Sequence, residues 1–330
     1  MHILVIGGAG YIGSHVVLDL LNKGHKVRVF DNLSTGNPDN LFPMTEFIEG
    51  DILDYQTLSD AMTDIDAVVH LAAKKAVDES MQNPEKYALN NITGTLNVLN
   101  AMAEKGIKYF VFSSSAAVYG MPKETVITEE TPTDPINFYG FTKLEIERFL
   151  KWYDAIKNIR FVALRYFNAV GYDPAGRIKG LEKNPQNLLP IIMEVASGDR
   201  PKLSIYGKDY PTADGTCIRD YIHVSDLADA HTKALAYLSK SKKNESQIFN
   251  LGTGRGISVL EMLRTTERII RKKIPHNFTA RRSGDPAVLI ANAEKANTVL
   301  GWTPKFSDTE TIISSTWKVY RKQPPEFCLS

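Results

Sequence analysis

The sequence predicts an α/β protein with a doubly wound parallel sheet, and three observations support this prediction. Short apolar, β-branched runs alternate with longer stretches of helical periodicity through the first half of the 330-residue chain. A glycine-rich turn directly follows the first of these runs, and an aspartate follows the second. Strands that alternate with helices favour a parallel sheet, because each crossover helix packs on a face of the sheet.

Six strands are expected in the first half of the chain. In chain order they are HILVI (2–6), KVRVF (26–30), EFIEG (46–50), DAVVHLA (66–72), KYFVFSS (108–114) and RFVALR (160–165). Runs of this length and composition are typical of the strands of a doubly wound sheet.

The glycine-rich turn predicts a dinucleotide site. In GGAGYIG, Gly7, Gly10 and Gly13 open a helix that we expect to run to about Asn22. Glycines there let the backbone approach a pyrophosphate, which the free N–H groups and the dipole of the helix N-terminus stabilise. Asp31 follows Gly13 by 18 residues, where a carboxylate accepts hydrogen bonds from an adenosine ribose and repels a 2′-phosphate. NAD is therefore favoured over NADP; the alternative is a structural turn beside a surface aspartate.

Two further strand ends meet the same edge of the predicted sheet. GDI (50–52) follows the third strand, and its Asp51 is placed to reach an adenine. LAAKK (71–75) follows the fourth strand and is placed to line the cofactor. Doubly wound folds bind ligands at the carboxyl ends of their strands, so both are candidates, although such residues are also ordinary strand ends.

FYGFTKLEIE (138–147) places Tyr139 and Lys143 four positions apart near the start of an amphipathic helix. Residues i and i+4 share a helix face, so the phenol oxygen and the ammonium group can converge. Bringing the pKa of a tyrosine from roughly 10 to near 7 requires about 4 kcal/mol. One positive charge at ~4 to 5 Å contributes about 3 to 4 kcal/mol, and a cationic cofactor adds to this. The pair predicts an acid/base; the alternative is a packed ring beside a solvated charge.

The second half of the chain is less regular, and we expect a smaller second domain there. Proline and glycine are concentrated between residues 171 and 215, and helices are indicated from about residues 187, 225 and 258. Two further strand-like runs are KLSIYG (202–207) and QIFNLG (247–252). The predicted domains are a dinucleotide-binding domain over 1–170, to which 219–247 return, and a smaller substrate domain over 171–218 and 248–330.

Composition excludes several classes of function. Lysine and arginine number 39 against 38 aspartates and glutamates, so no excess of charge predicts binding to nucleic acid or to an anionic membrane. No apolar run approaches the roughly 20 residues that span a bilayer, and the N-terminus lacks the features of a signal peptide. Cys217 and Cys328 lie far apart, which fits a reduced cytoplasm. The seven histidines show no metal-ligand spacing, so small molecules are the expected partners and no metal is expected.

Several motifs together resemble one protein family. The glycine turn, Asp31, SSSAAVYG (113–120) and the Tyr139 and Lys143 pair resemble the extended short-chain dehydrogenases, and more narrowly the UDP-glucose 4-epimerases among them. Further similar stretches are LRYFNAVG (164–171), NLLP (187–190), DYPTADGTCIRDYIHVSDLADAH (209–231) and RRSGDP (281–286). The likeness therefore covers nearly the whole chain.

The resemblance implies the residues of three sites. The implied catalytic residues are Ser115, Tyr139 and Lys143, with Lys143 also holding the nicotinamide ribose. The implied NAD-binding residues are Gly7, Gly10, Tyr11, Ile12, Gly13, Asp31, Asn32, Asp51, Ile52, Leu71, Ala72, Ala73, Lys75, Asn90, Ser115, Tyr139, Lys143 and Phe167. The implied UDP-sugar-binding residues are Asn168, Asn187, Leu188, Tyr206, Arg219, Arg282, Asp285 and Val288. The arginines suit a pyrophosphate, and Asp285 suits a ribose hydroxyl.

The reaction that the resemblance implies is inversion at C4 of the hexose in UDP-galactose and UDP-glucose. Tyr139, as phenolate, removes the proton of the 4-hydroxyl while hydride passes from C4 to NAD; the 4-keto sugar turns over, and hydride returns to its other face. Nucleotide-sugar 4,6-dehydratases and sugar-acid decarboxylases remain alternatives, although they carry acidic residues just after the position of Ser115, where this chain has Ala116 and Ala117. A non-enzymatic NAD sensor of the same fold is a third alternative, although such proteins typically lose the tyrosine or the lysine.

The resemblance also implies a specificity position and a homodimer. In the family, a tyrosine after the RRSGDP stretch resembles enzymes restricted to glucose and galactose, and a small residue resembles those that admit N-acetyl sugars. The aligned residue is Val288, with Ala287 and Leu289 as neighbouring alternatives, so turnover of UDP-N-acetylglucosamine and UDP-N-acetylgalactosamine is expected too. A homodimer is expected because residues 89–106 and the helix of Tyr139 carry more apolar positions than one sheet face needs.

Overall fold

The computed structural model describes residues 1–183, 185–240, 245–282 and 284–321. Its strands are β1 (His2–Ile6), β2 (Lys26–Asp31), β3 (Glu46–Glu49), β4 (Ala67–His70), β5 (Tyr109–Ser113), β6 (Val126–Ile127), β7 (Arg160–Tyr166), β8 (Asn168–Val170), β9 (Leu203–Tyr206), β10 (Ile218–His223), β11 (Gln247–Leu251), β12 (Gly256–Ser258), β13 (His276–Thr279) and β14 (Val288–Ala291). Its α-helices are α1 (Tyr11–Asn22), α2 (Tyr55–Ala61), α3 (Val77–Gln82), α4 (Pro84–Tyr87), α5 (Gly94–Lys105), α6 (Phe138–Lys157), α7 (Leu188–Ser197), α8 (Val224–Lys240), α9 (Val259–Ile270), α10 (Glu294–Leu300) and α11 (Thr309–Tyr320). Short 3-10 turns span Pro38–Asn40 and Ala116–Tyr119, and a π-helical segment spans Ala88–Thr93.

Seven strands form one parallel sheet in the order β11-β7-β5-β4-β1-β2-β3. All six strands predicted for the first half lie in it, so the doubly wound fold is confirmed. The chain moves outward in one direction from β1 to β3 and in the other direction from β4 to β11. The carboxyl ends of β1 and β4 therefore flank a switch point, which is where such sheets bind ligands.

The packing of the central strand β1 explains its continuously apolar sequence. Ile3 and Val5 pack on one face of the sheet with α1 and α8, whereas Leu4 and Ile6 pack on the other face with α2, α5 and α6. All four side chains are fully buried. Helices cover both faces of a parallel sheet, so its central strands lack the apolar and polar alternation of a half-exposed strand.

One strand lies in a different layer from the one predicted. QIFNLG was expected in the smaller domain, but its strand β11 pairs in parallel with β7 at the edge of the large sheet. The reason is the crossover: α8 packs against α1 on one sheet face and returns the chain to that edge. The large sheet thus extends to Leu251, past the predicted boundary at residue 247. The division into two domains stays a proposal.

Short strands and three helices form the remaining layers. A five-stranded sheet has the order β12-β10-β14-β6, with β8 beside β10, and β9 pairs with β13. Apolar side chains of α7, α9 and α11 share a separate core. No helix within the described ranges is long and apolar enough to cross a bilayer. Cys217 is a buried free thiol; Cys328 and Ser283 lie outside the described residues.

Candidate active site

A cleft of about 480 Å³ opens at the switch point of the large sheet. It begins at the glycine turn and reaches the first turns of α6 and the segment before α7. The predicted site residues that line it are Gly7, Gly10, Tyr11, Ile12, Gly13, Asp31, Asn32, Ile52, Leu71, Ala72, Ala73, Lys75, Asn90, Tyr139, Lys143 and Asn187. Residues that lie more than a hundred positions apart in the sequence therefore meet at the carboxyl edge of the sheet.

The glycine turn is closed by contacts that leave no room for side chains. Gly7 has φ +84°, and a Cβ added there would come within 2.7 Å of the Ala72 nitrogen. A Cβ on Gly13 would come within 2.0 Å of the Gly7 carbonyl oxygen. No described side chain caps α1 at Gly10, and its first turn contains no acidic residue. Its first backbone N–H groups are therefore available to an anion in the cleft.

Asp31 ends β2 at the edge of the cleft, and its carboxylate organises the backbone around it. Oδ2 accepts a hydrogen bond from the Ala9 nitrogen at 3.0 Å, and Oδ1 accepts one from the Leu33 nitrogen at 2.9 Å. Burial raises the pKa of Asp31, and these hydrogen bonds oppose the rise. Each oxygen keeps a lone pair for a ligand hydroxyl.

Asp51 does not line the cleft but holds a residue that does. Its Oδ2 accepts a hydrogen bond from Asn32 Nδ2 at 2.8 Å, and its Oδ1 accepts one from the Leu53 nitrogen at 2.9 Å. The structure therefore places the predicted adenine contact behind Asn32, one step away from the cleft surface.

The first turn of α6 is fixed against the turn that follows Ser115. Asn137 caps the helix, because its Oδ1 accepts a hydrogen bond from the Gly140 nitrogen at 2.8 Å. A Cβ on Gly140 would come within 2.4 Å of the Ala117 carbonyl oxygen, so only glycine allows this close approach. The packing brings Tyr139 to Ser115, with which it shares a hydrogen bond.

Lys143 is buried beneath Tyr139, with only 3% of its surface exposed. Its Nζ donates a hydrogen bond to the Ser113 carbonyl oxygen at 2.8 Å. The same nitrogen lies 4.7 Å from the centre of the Phe112 ring and 5.9 Å from the centre of the Tyr139 ring. The i, i+4 spacing on α6 thus places the ammonium group beside the phenol ring.

The electrostatic balance of this pair differs from the sequence estimate. Burial raises the pKa of Tyr139, and the hydrogen bond with Ser115 opposes the rise only in part. Burial also lowers the pKa of Lys143 to about 7, against the attraction of Glu147. The charge of Lys143 therefore does not offset the effect of burial on the pKa of Tyr139, because desolvation disfavours both the phenolate and the ammonium group.

The remaining predicted substrate residues lie outside the lining of this cleft, and four of them contact one another in two pairs. Arg219 on β10 makes an ion pair with Asp285. The guanidinium carbon of Arg282 lies 4.0 Å from the centre of the Tyr206 ring. Asn168 Nδ2 donates a hydrogen bond to the Asp220 carbonyl oxygen at 3.0 Å. Leu188 begins α7 and packs partly buried in the core of the smaller layers.

Strand register separates Val288 from its neighbour Leu289. In the parallel pair of β10 and β14, Ile218 is the partner of Val288 and Arg219 is the partner of Leu289. Successive side chains point to opposite faces of a strand, so Leu289 shares a face with Arg219 and Val288 does not. Leu289 also packs against a cluster that contains Phe167.

Ser115 and Phe167 lie beside the cleft rather than in its lining. Ser115 caps the 3-10 turn Ala116–Tyr119, because its Oγ accepts a hydrogen bond from the Ala117 nitrogen at 3.1 Å. Phe167 is buried in the same small cluster as Ala116.

Several residues in or behind the cleft lining are absent from the sequence prediction. Tyr166 ends β7 and lines the cleft; its position at the carboxyl end of a strand is the signal that could have found it. Asn91, in the π-helical segment, does not line the cleft but holds Lys74, which does: it accepts a hydrogen bond from the Lys74 nitrogen at 2.8 Å and donates one to the Lys74 carbonyl oxygen at 3.0 Å. Glu182 makes an ion pair with Lys75 across the cleft, and no sequence pattern marks it.

The sheet, the glycine turn and the tyrosine and lysine on one helix define the class of extended short-chain dehydrogenases. Residues 3–252 match the model of the NAD dependent epimerase/dehydratase family, and the chain belongs to this family. Its cofactor is NAD. The closed turn at Gly7 and Gly13, the uncapped helix and the carboxylate of Asp31 fit the pyrophosphate and the ribose of that cofactor. No group of metal-ligating side chains is present among the residues described.

Relatives and solved structures match almost the full length. A UDP-glucose 4-epimerase of Streptococcus mutans serotype c is 49% identical over 329 residues, which cover 98% of this chain and 98% of that protein. The crystal structure of UDP-glucose 4-epimerase from Brucella ovis in complex with NAD has a TM-score of 0.93 and 42% identity, covering 97% of this chain and 98% of that chain. The UDP-Glc/GlcNAc 4-epimerase from Campylobacter jejuni has a TM-score of 0.84 and 40% identity, with coverage of 97% and 98%.

Proposed function

We propose that this chain interconverts UDP-galactose and UDP-glucose by inverting C4 of the hexose, with NAD held as a bound cofactor. The observation that carries the proposal is one continuous cleft that joins Gly7 and Asp31 to Tyr139 and Lys143. A dinucleotide in this cleft ends beside an acid/base. Relatives that carry the name UDP-glucose 4-epimerase support the choice of substrate.

Each catalytic side chain has one task. Tyr139 takes the proton from the sugar 4-hydroxyl and later returns it to the same oxygen. Ser115, which is hydrogen-bonded to Tyr139, binds that oxygen as its charge changes. The charge of Lys143 stabilises the phenolate. NAD, held by the glycine turn and Asp31, would supply the acceptor and donor of the C4 hydride and, when oxidised, a further positive charge that favours the phenolate.

The turn after Ser115 argues against the rival enzymes. Elimination of water or assisted decarboxylation needs a further acidic group next to the sugar, whereas inversion at C4 needs one acid/base that works in both directions. The 3-10 turn Ala116–Tyr119 contains no acidic residue, and Ala116 is buried in an apolar cluster. A sensor would not need a serine and a lysine that both lie beside one tyrosine.

Arg219 and Arg282 are the proposed ligands of the UDP pyrophosphate. Asp285 holds one of them through an ion pair, and Tyr206 holds the other through its ring. A guanidinium that is held in place loses less freedom when it binds, which favours bidentate contacts with phosphate. Asn168, on the same face as Arg219, and Asn187, in the cleft lining, supply further polar contacts.

The space beside C2 of the sugar is closed by the residue at position 289. Leu289 shares the face of Arg219, and a leucine there leaves more room than a tyrosine. UDP-N-acetylglucosamine and UDP-N-acetylgalactosamine are therefore also interconverted. The expectation for Val288 is retained as the competing assignment of the same position.

Paired variants decide between these positions. Leu289→Tyr should abolish turnover of the acetylated sugars and spare UDP-galactose, because the ring fills the space of the acetamido group. Val288→Tyr is the matched control on the opposite face and should keep both activities. The reverse outcome restores Val288 as the specificity residue, and a wild type inert toward UDP-N-acetylglucosamine ends the proposal for acetylated sugars.

A homodimer in the cytoplasm is also part of the proposal. Trp152 and Ile156 of α6 are 66% and 64% exposed, and Leu89 before α5 is 54% exposed. Apolar surface on neighbouring helices favours pairing with a second copy. The free thiol of Cys217 fits a reducing compartment.

The direct test is to incubate the purified protein with UDP-galactose alone and to follow the products by NMR. Appearance of UDP-glucose without added NAD supports the proposal. A 4-keto-6-deoxy product would identify a dehydratase, and bound NAD with no turnover of any nucleotide sugar would identify a sensor. Tyr139→Phe serves as the control for catalysis by a contaminant.

A further inference from the structure

Glu147 lies one helical turn after Lys143 on α6, and only 1% of the residue is exposed. It contacts two other segments of the chain. Oε1 accepts hydrogen bonds from Ser114 Oγ at 2.6 Å and from Arg165 Nε at 2.9 Å. Oε2 accepts one from Arg165 Nη2 at 2.5 Å. Ser114 directly precedes Ser115 in the chain.

We propose that Glu147 is a positioning residue for the C4 inversion, whose carboxylate fixes Ser115 relative to Tyr139 and favours the charged form of Lys143. The inference rests on the proposed function, because it assigns how that acid/base group is held.

The geometric part of the inference follows from the bonding of one carboxylate. The catalytic helix carries Tyr139 and Glu147, and the end of β5 leads through Ser114 to Ser115. The hydrogen bond from Ser114 to Glu147 therefore connects the segment of Ser115 to helix α6, which carries Tyr139. A two-point bond to Arg165 fixes the carboxylate itself, since guanidinium and carboxylate match in a fork.

The network continues away from the cleft and leaves Arg165 fully engaged. Arg165 Nη1 donates a hydrogen bond to Tyr119 Oη at 2.9 Å, and that hydroxyl donates to Asn250 Oδ1 at 2.7 Å. Buried networks whose members are all bonded favour a single arrangement of their side chains. The carboxylate of Glu147 is therefore held in one place.

The electrostatic part concerns the charge of Lys143. The titratable groups that interact with it are Tyr139 and Glu147 of α6 and His70 of β4, whereas Tyr166 of β7 and Glu79 of α3 line the same cleft. Burial lowers the pKa of His70 to about 3, so this ring is neutral near pH 7. Glu79 makes an ion pair with Lys86. Glu147 is the group whose charge opposes the effect of burial on the pKa of Lys143.

Lysine titration in three variants tests the charge role without any sugar. In holoprotein labelled with ¹³C at the lysine ε-carbons, the Lys143 signal is identified by its absence from Lys143→Ala. Glu147→Gln should lower the midpoint of this signal by about one pH unit, because the lysine loses its buried anion. Glu147→Asp retains the charge and should keep the wild-type midpoint.

Glu145→Gln is the matched control. Glu145 lies on the same helix and pairs with the exposed Arg148, so the substitution removes the same charge from the surface. It should leave both the midpoint and the activity unchanged. An unshifted midpoint in Glu147→Gln, or an equal shift in Glu145→Gln, overturns the charge role.

Ser114→Ala tests the positional role and keeps every charge in place. Glu147→Gln leaves Arg165 without its buried partner and can prevent folding, whereas Ser114→Ala leaves this ion pair intact. Ser114→Ala therefore keeps the proposal testable in either case. Ser114→Ala should lower kcat about fivefold at unchanged KM and unchanged lysine midpoint, as expected for one lost hydrogen bond. Wild-type kcat in this variant overturns the positional role. A wild type without epimerase activity refutes the proposed function, whereas the lysine midpoints still decide the charge role.

Discussion

At the residue scale, burial acts in opposite directions on the two members of the acid/base pair. It raises the pKa of the Tyr139 phenol and lowers the pKa of the Lys143 ammonium group to about 7. Protein groups alone thus favour the neutral tyrosine. A phenolate needs further positive charge, which oxidised NAD brings to the same cleft. In the proposed function, proton transfer by Tyr139 would therefore depend on the oxidation state of the cofactor.

Tyr139→Phe should lower kcat by at least about 10²-fold, because the acid/base hydroxyl is lost. NAD should remain bound, since the ring stays in place. Steady-state assays with UDP-galactose and acid release of the nucleotide measure the two effects. Tyr153→Phe removes a hydroxyl from the same helix, where it donates a hydrogen bond to Asn100, and should keep wild-type turnover. Near-normal kcat in Tyr139→Phe would refute the assignment.

Lys143→Ala should weaken NAD binding and move the activity profile to higher pH. Loss of the nearest cation raises the pKa of Tyr139, so the base form requires a higher pH. The measurements are kcat against pH and the NAD content after purification. Lys151→Ala, at an exposed position of the same helix, is the control and should leave the profile in place. An unchanged profile in Lys143→Ala would mean that this lysine is only structural.

At the element scale, the turn between β1 and α1 is the most tightly constrained part of the site. Gly7 requires positive φ, and Gly13 requires the absence of a Cβ because the Gly7 carbonyl oxygen lies beside it. These constraints are local in sequence. The turn, its helix and Asp31 were therefore predictable from spacing alone.

Gly13→Ala should abolish retention of NAD, because its Cβ would lie 2.0 Å from the Gly7 oxygen and the turn would have to open. Gly24→Ala, just after the other end of α1, is the matched control. Its Cβ meets nothing within 4 Å, and its φ of +78° is expected to cost stability by about 1 kcal/mol. Thermal unfolding and nucleotide release by acid separate the two effects. Full NAD content in Gly13→Ala would contradict the role of the turn.

Other elements were not predictable, for reasons that differ. β6 has two residues and β8 and β12 have three, which is too short for any periodicity to appear. The placement of β11 depends on where α8 returns the chain, and the face of Leu289 depends on register with β10. Both depend on tertiary packing, which local sequence patterns do not reveal. The pair Lys75 and Glu182 joins segments more than a hundred residues apart for the same reason.

At the scale of the whole molecule, the proposed cofactor residues and the proposed substrate residues lie in different layers. The glycine turn, Asp31 and the catalytic helix all belong to the large sheet, whereas Arg219, Arg282 and Asp285 belong to the smaller layers. Asn187 lies in the cleft just before α7 and marks where the two parts meet. In the proposed function, catalysis takes place at their junction.

Light scattering at micromolar concentration should give the mass of a homodimer. Trp152→Glu combined with Ile156→Glu should shift the protein to a monomer, because two charges replace the exposed apolar surface of α6. Met44→Glu changes a side chain that is 74% exposed elsewhere and should leave the dimer intact. A wild-type monomer would remove the proposal of a dimer and leave the active site untouched.

In the proposed reaction, a hydride passes from C4 to NAD and back to the same carbon within one cleft. The measurement that tests it most directly is incubation of the holoprotein with UDP-galactose carrying deuterium at C4, in ordinary water and without added NAD. We expect UDP-glucose that retains the deuterium at C4, because hydrogen carried on the reduced nicotinamide does not exchange with solvent. Loss of the deuterium to water, or no UDP-glucose at all, would contradict it.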